Sequence, residues 1–417
     1  PPPPPPSSTP TPAPTATATA TAQPTPTPTD TPISLLPSPG EIYFLWDSKI
    51  TSDWNVGPVY TLYLVTPREK GWDIQPVVEQ IIGHSQVALS PGKAKFAFTV
   101  LEDKNGDGDV SDEGYDRGFD APNIFTYTLE ERVFTRLTSE YVSGYLGWLS
   151  DYELAVGFRA INTQDFSWRQ VIHEEDIPDD IRSSILSPDG TTIAIHQNSG
   201  QVDLIKTASG EITMIIGELG DPNTEIVWSA DSQWLAFNQP SVNQLVLLNT
   251  QTTETISANL SNPVRYLIWS PDSQYIAAQE ISDEVSLILL NTSDLSSQVM
   301  LTTSGHIYSL LWSPDSSHLA MAVIEGEKEV SMHVLDIDNG ELQNLWQSAE
   351  SARFYIAAWS PDSKWLLFFN GREWSPRNDE AGIYVIDKNG GSPYLVLDTA
   401  GSLDPVAFYW LPGVNSR

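Results

Sequence analysis

The stretch "WSPDSKW", Trp359–Trp365, decides how this chain reads. A Trp closes one apolar run, four turn-forming residues follow, and a second apolar run begins. The same phrase returns as "WSPDSSHLA" from Trp312, "WSPDSQYIA" from Trp269, "WSADSQWLA" from Trp228 and "LSPDGTTIA" from Leu186. A looser copy, "LSPGKAKFAF", starts at Leu89. Self-similarity at a fixed period outranks every local signal, because it defines the unit of the fold.

Aligned on the residue after the Trp, the copies fall at Ser90, Leu149, Ser187, Ser229, Ser270, Ser313 and Ser360, and the last four steps are 42, 41, 43 and 47 residues. That period suits four short strands per unit, the make-up of a propeller blade. One unit shows the pattern. "VRYLIW" is a strand, "SPDS" turns the chain, "QYIAAQE" returns, then "EVSLILLNT" and "SSQVML" follow. β-branched content and alternation support strands. Pro presets φ at the second turn position, and Ser and Asp bond to nearby backbone. The recurring acids, Asp189, Asp231, Asp272, Asp315 and Asp362, are therefore read as turn residues rather than ligands. The Trp is expected to end the inner strand and pack between adjacent sheets.

The ends of the chain extend the pattern. "GEIYFLWD" (Gly40–Asp47) reads as a second strand with no first, and "VAFYWLPG" (Val406–Gly413) as a first strand with no successors. "VYTLYLVT" and "WDIQPVV" supply the third and fourth. Joined, they complete one blade and close the ring, which removes an exposed sheet edge. The expectation is an all-β, eight-bladed β-propeller over residues 40–417. The third unit, Gly147–Ile172, has a short turn and an obscure fourth strand, so seven blades is the alternative.

The "WSPDS…LA" phrase resembles the TolB-type, WD40-like (PD40) propeller repeat of bacterial envelope proteins. The resemblance runs from about Gly40 to Gly413. It implies the propeller fold and a habit of binding partners at the cell surface, not an activity. The separate amino-terminal α/β domain of TolB itself has no counterpart in this sequence.

Residues 1–39 open with "PPPPPPSSTPTPAPTATATATAQPTPTPTDTP", whose only charge is Asp30. Pro fixes φ and lacks a donor, so this segment reads as an extended polyproline-type linker or stalk. Segments of this kind hold a domain away from a cell envelope and can carry O-glycans on Thr; the alternative is a passive linker. The start at Pro1 rather than Met fits removal of an export signal or lipid anchor. No apolar run has the roughly 18 residues that span a bilayer.

The formal charge is −33, from 54 acidic and 21 basic residues. Such a surface disfavours nucleic acid and anionic membranes and suits cations, a basic partner, or simply a solvated acidic surface. There is no Cys, so disulfides and thiolate metal sites are ruled out.

One insertion carries metal-ligand spacing. "LEDKNGDGDVSDEGYDRGFD" (Leu101–Asp120) places Asp103, Asn105 and Asp107 at alternate positions, Gly108 at the turn, then Asp109 and Ser111. It resembles the EF-hand and dockerin-type calcium loop without flanking helices. The twelfth position is Gly114, so the closing carboxylate falls to Asp112 or Glu113. Eight carboxylates against two basic residues within Glu102–Asp120 repel without a counter-ion. The expected cofactor is Ca²⁺, in a structural role.

Two further insertions, "SKITSDWNVG" (Ser48–Gly57) and "GREWSPRNDEA" (Gly371–Ala381), occupy the same blade position. Trp54 and Trp374 at their tips suit a sugar or peptide partner. The acidic run "HEEDIPDD" (His173–Asp180) reads as a solvated loop, with a second cation site as the alternative. The six histidines show no metal-ligand spacing. "GHSQVA" (Gly83–Ala88) lacks the Gly-x-Ser-x-Gly elbow of propeller-bearing hydrolases, and no catalytic residue is assigned. The functional expectation is an extracytoplasmic cell-surface or secreted module that binds protein or glycan. Its alternatives are a surface-layer or filament subunit assembled through residues 1–39, and a glycan-active enzyme with paired carboxylates.

Overall fold

The computed structural model describes residues 40–49, 59–68, 71–82, 87–100, 123–138, 146–178, 180–216, 224–325, 329–348, 353–371, 381–398 and 405–412. Among the described residues there are 32 strands and two 3₁₀ turns, Glu174–Asp176 and Pro240–Val242. The strands form eight antiparallel blades of four. Six blades are separate sheets, and a single bridge, Ile81 to Val100, joins the first two.

Blade 1 combines both ends of the chain. Its strand order is β32 (Pro405–Leu411), β1 (Glu41–Lys49), β2 (Val59–Pro67) and β3 (Trp72–Ile82). Tyr43 pairs directly with Tyr409, and Glu41 with Leu411. Blade 2 holds β4 (Ala88–Leu89), β5 (Lys95–Val100), β6 (Asn123–Thr128) and β7 (Val133–Arg136). The doubtful third unit is a true blade: β8 (Leu146–Ser150), β9 (Glu153–Val156), β10 (Arg159–Asn162) and β11 (Trp168–Gln170). Blades 4 to 8 span 181–216, 226–259, 264–303, 306–348 and 353–398. Eight blades replace the seven-bladed alternative.

The core is a series of layers between blades rather than one centre. One layer packs Val334 and Trp346 of blade 7 against Phe354, Trp359 and Phe368 of blade 8. The closure layer sets Tyr43 and Tyr409 edge-to-face against Phe96, with ring centroids 5.3 and 4.9 Å apart. Fourth strands face solvent, as the mostly exposed Thr255–Asn259 shows.

The repeated phrase stitches these layers in two ways. Five Trp residues at the ends of first strands donate the indole N–H to a carbonyl of the preceding blade, one residue before the equivalent position. Trp148, Trp228, Trp269, Trp312 and Trp359 bond to Ala88, Ile185, Val227, Ile268 and Leu311 at 3.0 to 3.3 Å. The burial of these large rings thus comes with a satisfied polar end.

The turn supplies the second stitch. The buried first Ser donates to the Asp carboxylate at 2.6 Å (Ser229, Ser270, Ser313) and accepts the amide five residues on at 2.9 Å. The fourth residue has left-handed backbone: Ser232, Ser273, Ser316 and Ser363 lie at φ 60 to 61. Their hydroxyls accept the Asp N–H of the preceding blade's turn: Asp189, Asp231, Asp272 and Asp315, at 3.0 to 3.2 Å. In blade 2 the corresponding amide, Gly92 N–H, donates instead to the Asp151 carboxylate of blade 3 at 2.7 Å.

Candidate functional site

The first strands form the inner edge of the ring, since those of neighbouring blades contact one another. The Ser-Pro-Asp turns lie on one face of the ring, here the turn face. The opposite face carries the connections from second to third strands, and is the insertion face.

Toward the insertion face the first strands are irregular. β12 (Ile181–Leu186), β20 (Val264–Trp269), β24 (His306–Trp312) and β28 (Arg353–Trp359) each carry a register shift against the second strand. The extra residue of such a bulge bends the strand and re-aims side chains. In blades 6 and 7 the bulge holds a left-handed residue, Tyr266 (φ 55) and Ser309 (φ 53). Tyr266 is 60% exposed, an expensive place for a bulky residue in that backbone region.

Glu225 braces this bulge from blade 5. Its carboxylate accepts the Leu267 N–H at 3.3 Å and also the Tyr266 N–H. Burial raises the Glu225 pKa above the usual carboxylate range, and those two amides only partly offset it. Amides on the second strands tie the tier together. Asn238 donates to Val264 O at 2.6 Å and accepts the Glu225 N–H at 2.7 Å, and Gln279 donates to Ile307 O at 2.7 Å. His196 holds the equivalent place in blade 4; burial, then the nearby Arg182 charge, lowers its pKa.

Around this tier stand Arg182, Ser183 and Ser184 on β12, and Arg265 and Tyr266 on β20, all exposed. Two guanidinium groups here are unusual in a chain with 21 basic residues. Arg forks suit a carboxylate, and an exposed Tyr suits a flat apolar surface. The sequence reading missed these residues, because "VRYLIW" passes as an ordinary strand. Its signal was a charged and an aromatic residue placed together on an inner strand.

The calcium-loop residues Asp103, Asn105, Asp107, Asp109, Ser111, Asp112 and Glu113 lie outside the described residues, as do Trp54 and Trp374. The ends of the three insertions are described. They leave β1 at Lys49 and rejoin at Val59, leave β5 at Val100 and rejoin at Asn123, and leave β29 (Trp365–Gly371) and rejoin β30 (Gly382–Asp387). These blades, 8, 1 and 2, are consecutive in the ring, and the described ends of all three insertions lie on the insertion face. Blade 3 makes the same connection with only Gly157 and Phe158.

The turn aspartates stay within their turns, bonded to Ser hydroxyls and to the amide two residues on, such as Gln233 and Gln274. Glu174–Asp176 forms one of the 3₁₀ turns at the boundary of blades 3 and 4. Among the described residues no cluster of three or more His, Asp or Glu is placed to hold a metal. His318 packs in the layer facing blade 8, with Ser317 Oγ 2.6 Å from Nδ1 and Lys388 Nζ 3.2 Å from Nε2. His333 is half-buried, and desolvation lowers its pKa to about 4.

No protein-family model matches the chain, and no curated protein matches it. Solved structures do. The dihydro-heme d1 dehydrogenase NirN is 12% identical, over 89% of this chain and 75% of that one, with a TM-score of 0.55. TolB from Acinetobacter baumannii is 13% identical over 75% of this chain, at a TM-score of 0.38, and this chain spans 64% of that one. An oligogalacturonate lyase from Vibrio parahaemolyticus is 12% identical over 88% of each chain, at 0.43. At these identities the likeness is one of fold: the chain is an eight-bladed β-propeller whose neighbours include TolB and enzymes alike.

Proposed function

We propose that the protein is an extracytoplasmic, cell-surface propeller that binds a protein or glycan partner through its insertion face. In this proposal it acts as a binding or assembly module rather than an enzyme. A structural Ca²⁺ orders the Leu101–Asp120 loop, through Asp103, Asn105, Asp107, the Asp109 carbonyl, Ser111 and Asp112 or Glu113. One observation carries the proposal. Residues 1–39 enter the ring at Gly40, and β1 starts on the turn face beside Leu411. A ring tethered through that segment turns its other face outward, and that face holds the bulged tier of Arg182, Arg265 and Tyr266 and the roots of all three insertions. Function on a rigid ring sits in such loops and irregular strands.

The test is binding of the full chain to arrayed glycans and to surface proteins, in calcium and after chelation. Arg265→Ala and Tyr266→Ala are expected to weaken the captured interaction at least tenfold with an unchanged melting temperature. Chelation should weaken it as well. Binding lost through turn-face substitutions while both insertion-face variants bind normally would overturn the proposal.

A further inference from the structure

Blade 3 presents two exposed aromatics on the turn face. Tyr152, in the turn between β8 and β9, is 52% exposed, and Phe166, between β10 and β11, is 47% exposed. Their turns are joined by the Thr163 N–H, which donates to Tyr152 O at 2.8 Å. Lys95 Nζ stands 5.0 Å from the Tyr152 ring centroid.

Phe166 is the more telling of the two, because its backbone is left-handed (φ 62). The equivalent turn residue is Gly210 and Gly340 in blades 4 and 7, which costs nothing. Where another residue stands there, its side chain has other uses. Arg132 (φ 57) pairs with Glu41 at 2.6 Å and bonds Tyr43 at 3.1 Å. Leu295 (φ 56) is buried in the layer between blades 5 and 6. Thr253 (φ 62) is small and bonds Thr252 O. Phe166 has the same backbone strain and sets its ring in solvent. Strain of this kind is a pointer to function.

We propose that Tyr152 and Phe166 form a docking platform for the chain's own proline-rich segment, residues 24–32. The segment "PTPTPTDTP" is preset to polyproline II, whose rings pack on aromatic faces with little entropy left to lose. It joins the ring at Gly40 on the same face as the platform. The stretch from Asp30 to Gly40 reaches about 30 Å when extended, whereas blade 1 and blade 3 are two sheet-to-sheet steps of about 10 Å apart. Asp30 is the only charge in residues 1–39, and Lys95 is the cation beside the platform. The tail of a second copy would arrive on another body of charge −33, so the tethered segment is the favoured occupant. Docking would fix the ring's orientation on its tether. The inference rests on residues 1–32 being extended, and not on ligand binding at the insertion face.

The chain has no Cys, so a labelled pair is introduced cleanly. Thr29→Cys and Gln164→Cys carry nitroxides in the full chain, and double electron–electron resonance reads their separation. A narrow distribution is expected. It should broaden with Tyr152→Ser and Phe166→Gly together, and with an excess of a synthetic peptide of residues 24–32. Phe166→Gly relieves strain and is expected to raise the melting temperature, so broadening does not report unfolding. A broad distribution in the unsubstituted chain overturns the proposal. So does a dipolar signal between separately labelled chains, which assigns the platform to a second copy. A narrow distribution indifferent to both platform substitutions and to the peptide overturns it too.

Discussion

The fourth residue of the Ser-Pro-Asp-Ser turn is a small test of how one side chain earns a strained position. Left-handed backbone favours Gly, yet Ser232, Ser273, Ser316 and Ser363 occupy it, and each hydroxyl reaches the neighbouring blade. Ser273→Ala keeps the strain and loses the bond, so a loss of about 1–2 kcal/mol in denaturant unfolding is expected. Ser273→Gly loses the bond but also the strain, and should be close to neutral. Equal losses in both would show that the hydroxyl, not the backbone, decides. The turn acids set an acid limit. For Asp315, burial acts to raise the pKa, but hydrogen bonds from Ser313 and Ser317 outweigh it and hold the group at about 2; Asp189 and Asp362 are lowered in the same way. A carboxyl depressed by folding stabilises fully above its unfolded pKa of ~3.9 and loses that contribution as pH falls through the folded value. The melting temperature should therefore fall between about pH 4 and pH 2, and fall less in Asp315→Asn.

Blade 3 shows what an irregular element demands of its neighbours. Its short turn brings Leu149 so close to blade 4 that a Cβ at Gly190 would lie 2.3 Å from Leu149 O, a rigid backbone atom. Gly190 is also left-handed, at φ 73. This is why "SPDG" replaces "SPDS" there. Gly190→Ala combines strain with a collision and is expected to cost about 2–4 kcal/mol in denaturant unfolding. The blade itself was legible only in part. "GWLSDYELAV" lacks the Pro of the turn, and the four-residue strand β10 and three-residue strand β11 are too short to show periodicity. Its exposed aromatics, Tyr152 and Phe166, carry no sequence signal at all, because exposure is set by how blades 2 and 4 pack beside it.

The molecule as a whole is held by closure. β32 pairs with β1 along its length and buries Trp410 with Phe44 and Leu367 in the layer between blades 8 and 1. Removing residues 405–417 would bare the inner edge of β1 and half of that layer. We expect such a chain to lose cooperative thermal unfolding by circular dichroism and to associate in size-exclusion chromatography. A truncated monomer melting at the original temperature would mean that closure is dispensable. The blade phrase, the period and the complementary ends were all written in local residue types, so the ring with its split blade was determined by sequence alone: turn chemistry and strand alternation act within a few residues. The interblade role of Ser273, the need for Gly190 and the gathering of Arg182, Glu225, Arg265 and Tyr266 on one axial tier were decided only in three dimensions. Each depends on the distance between residues some forty positions apart or more, and packing of one blade on the next fixes that distance.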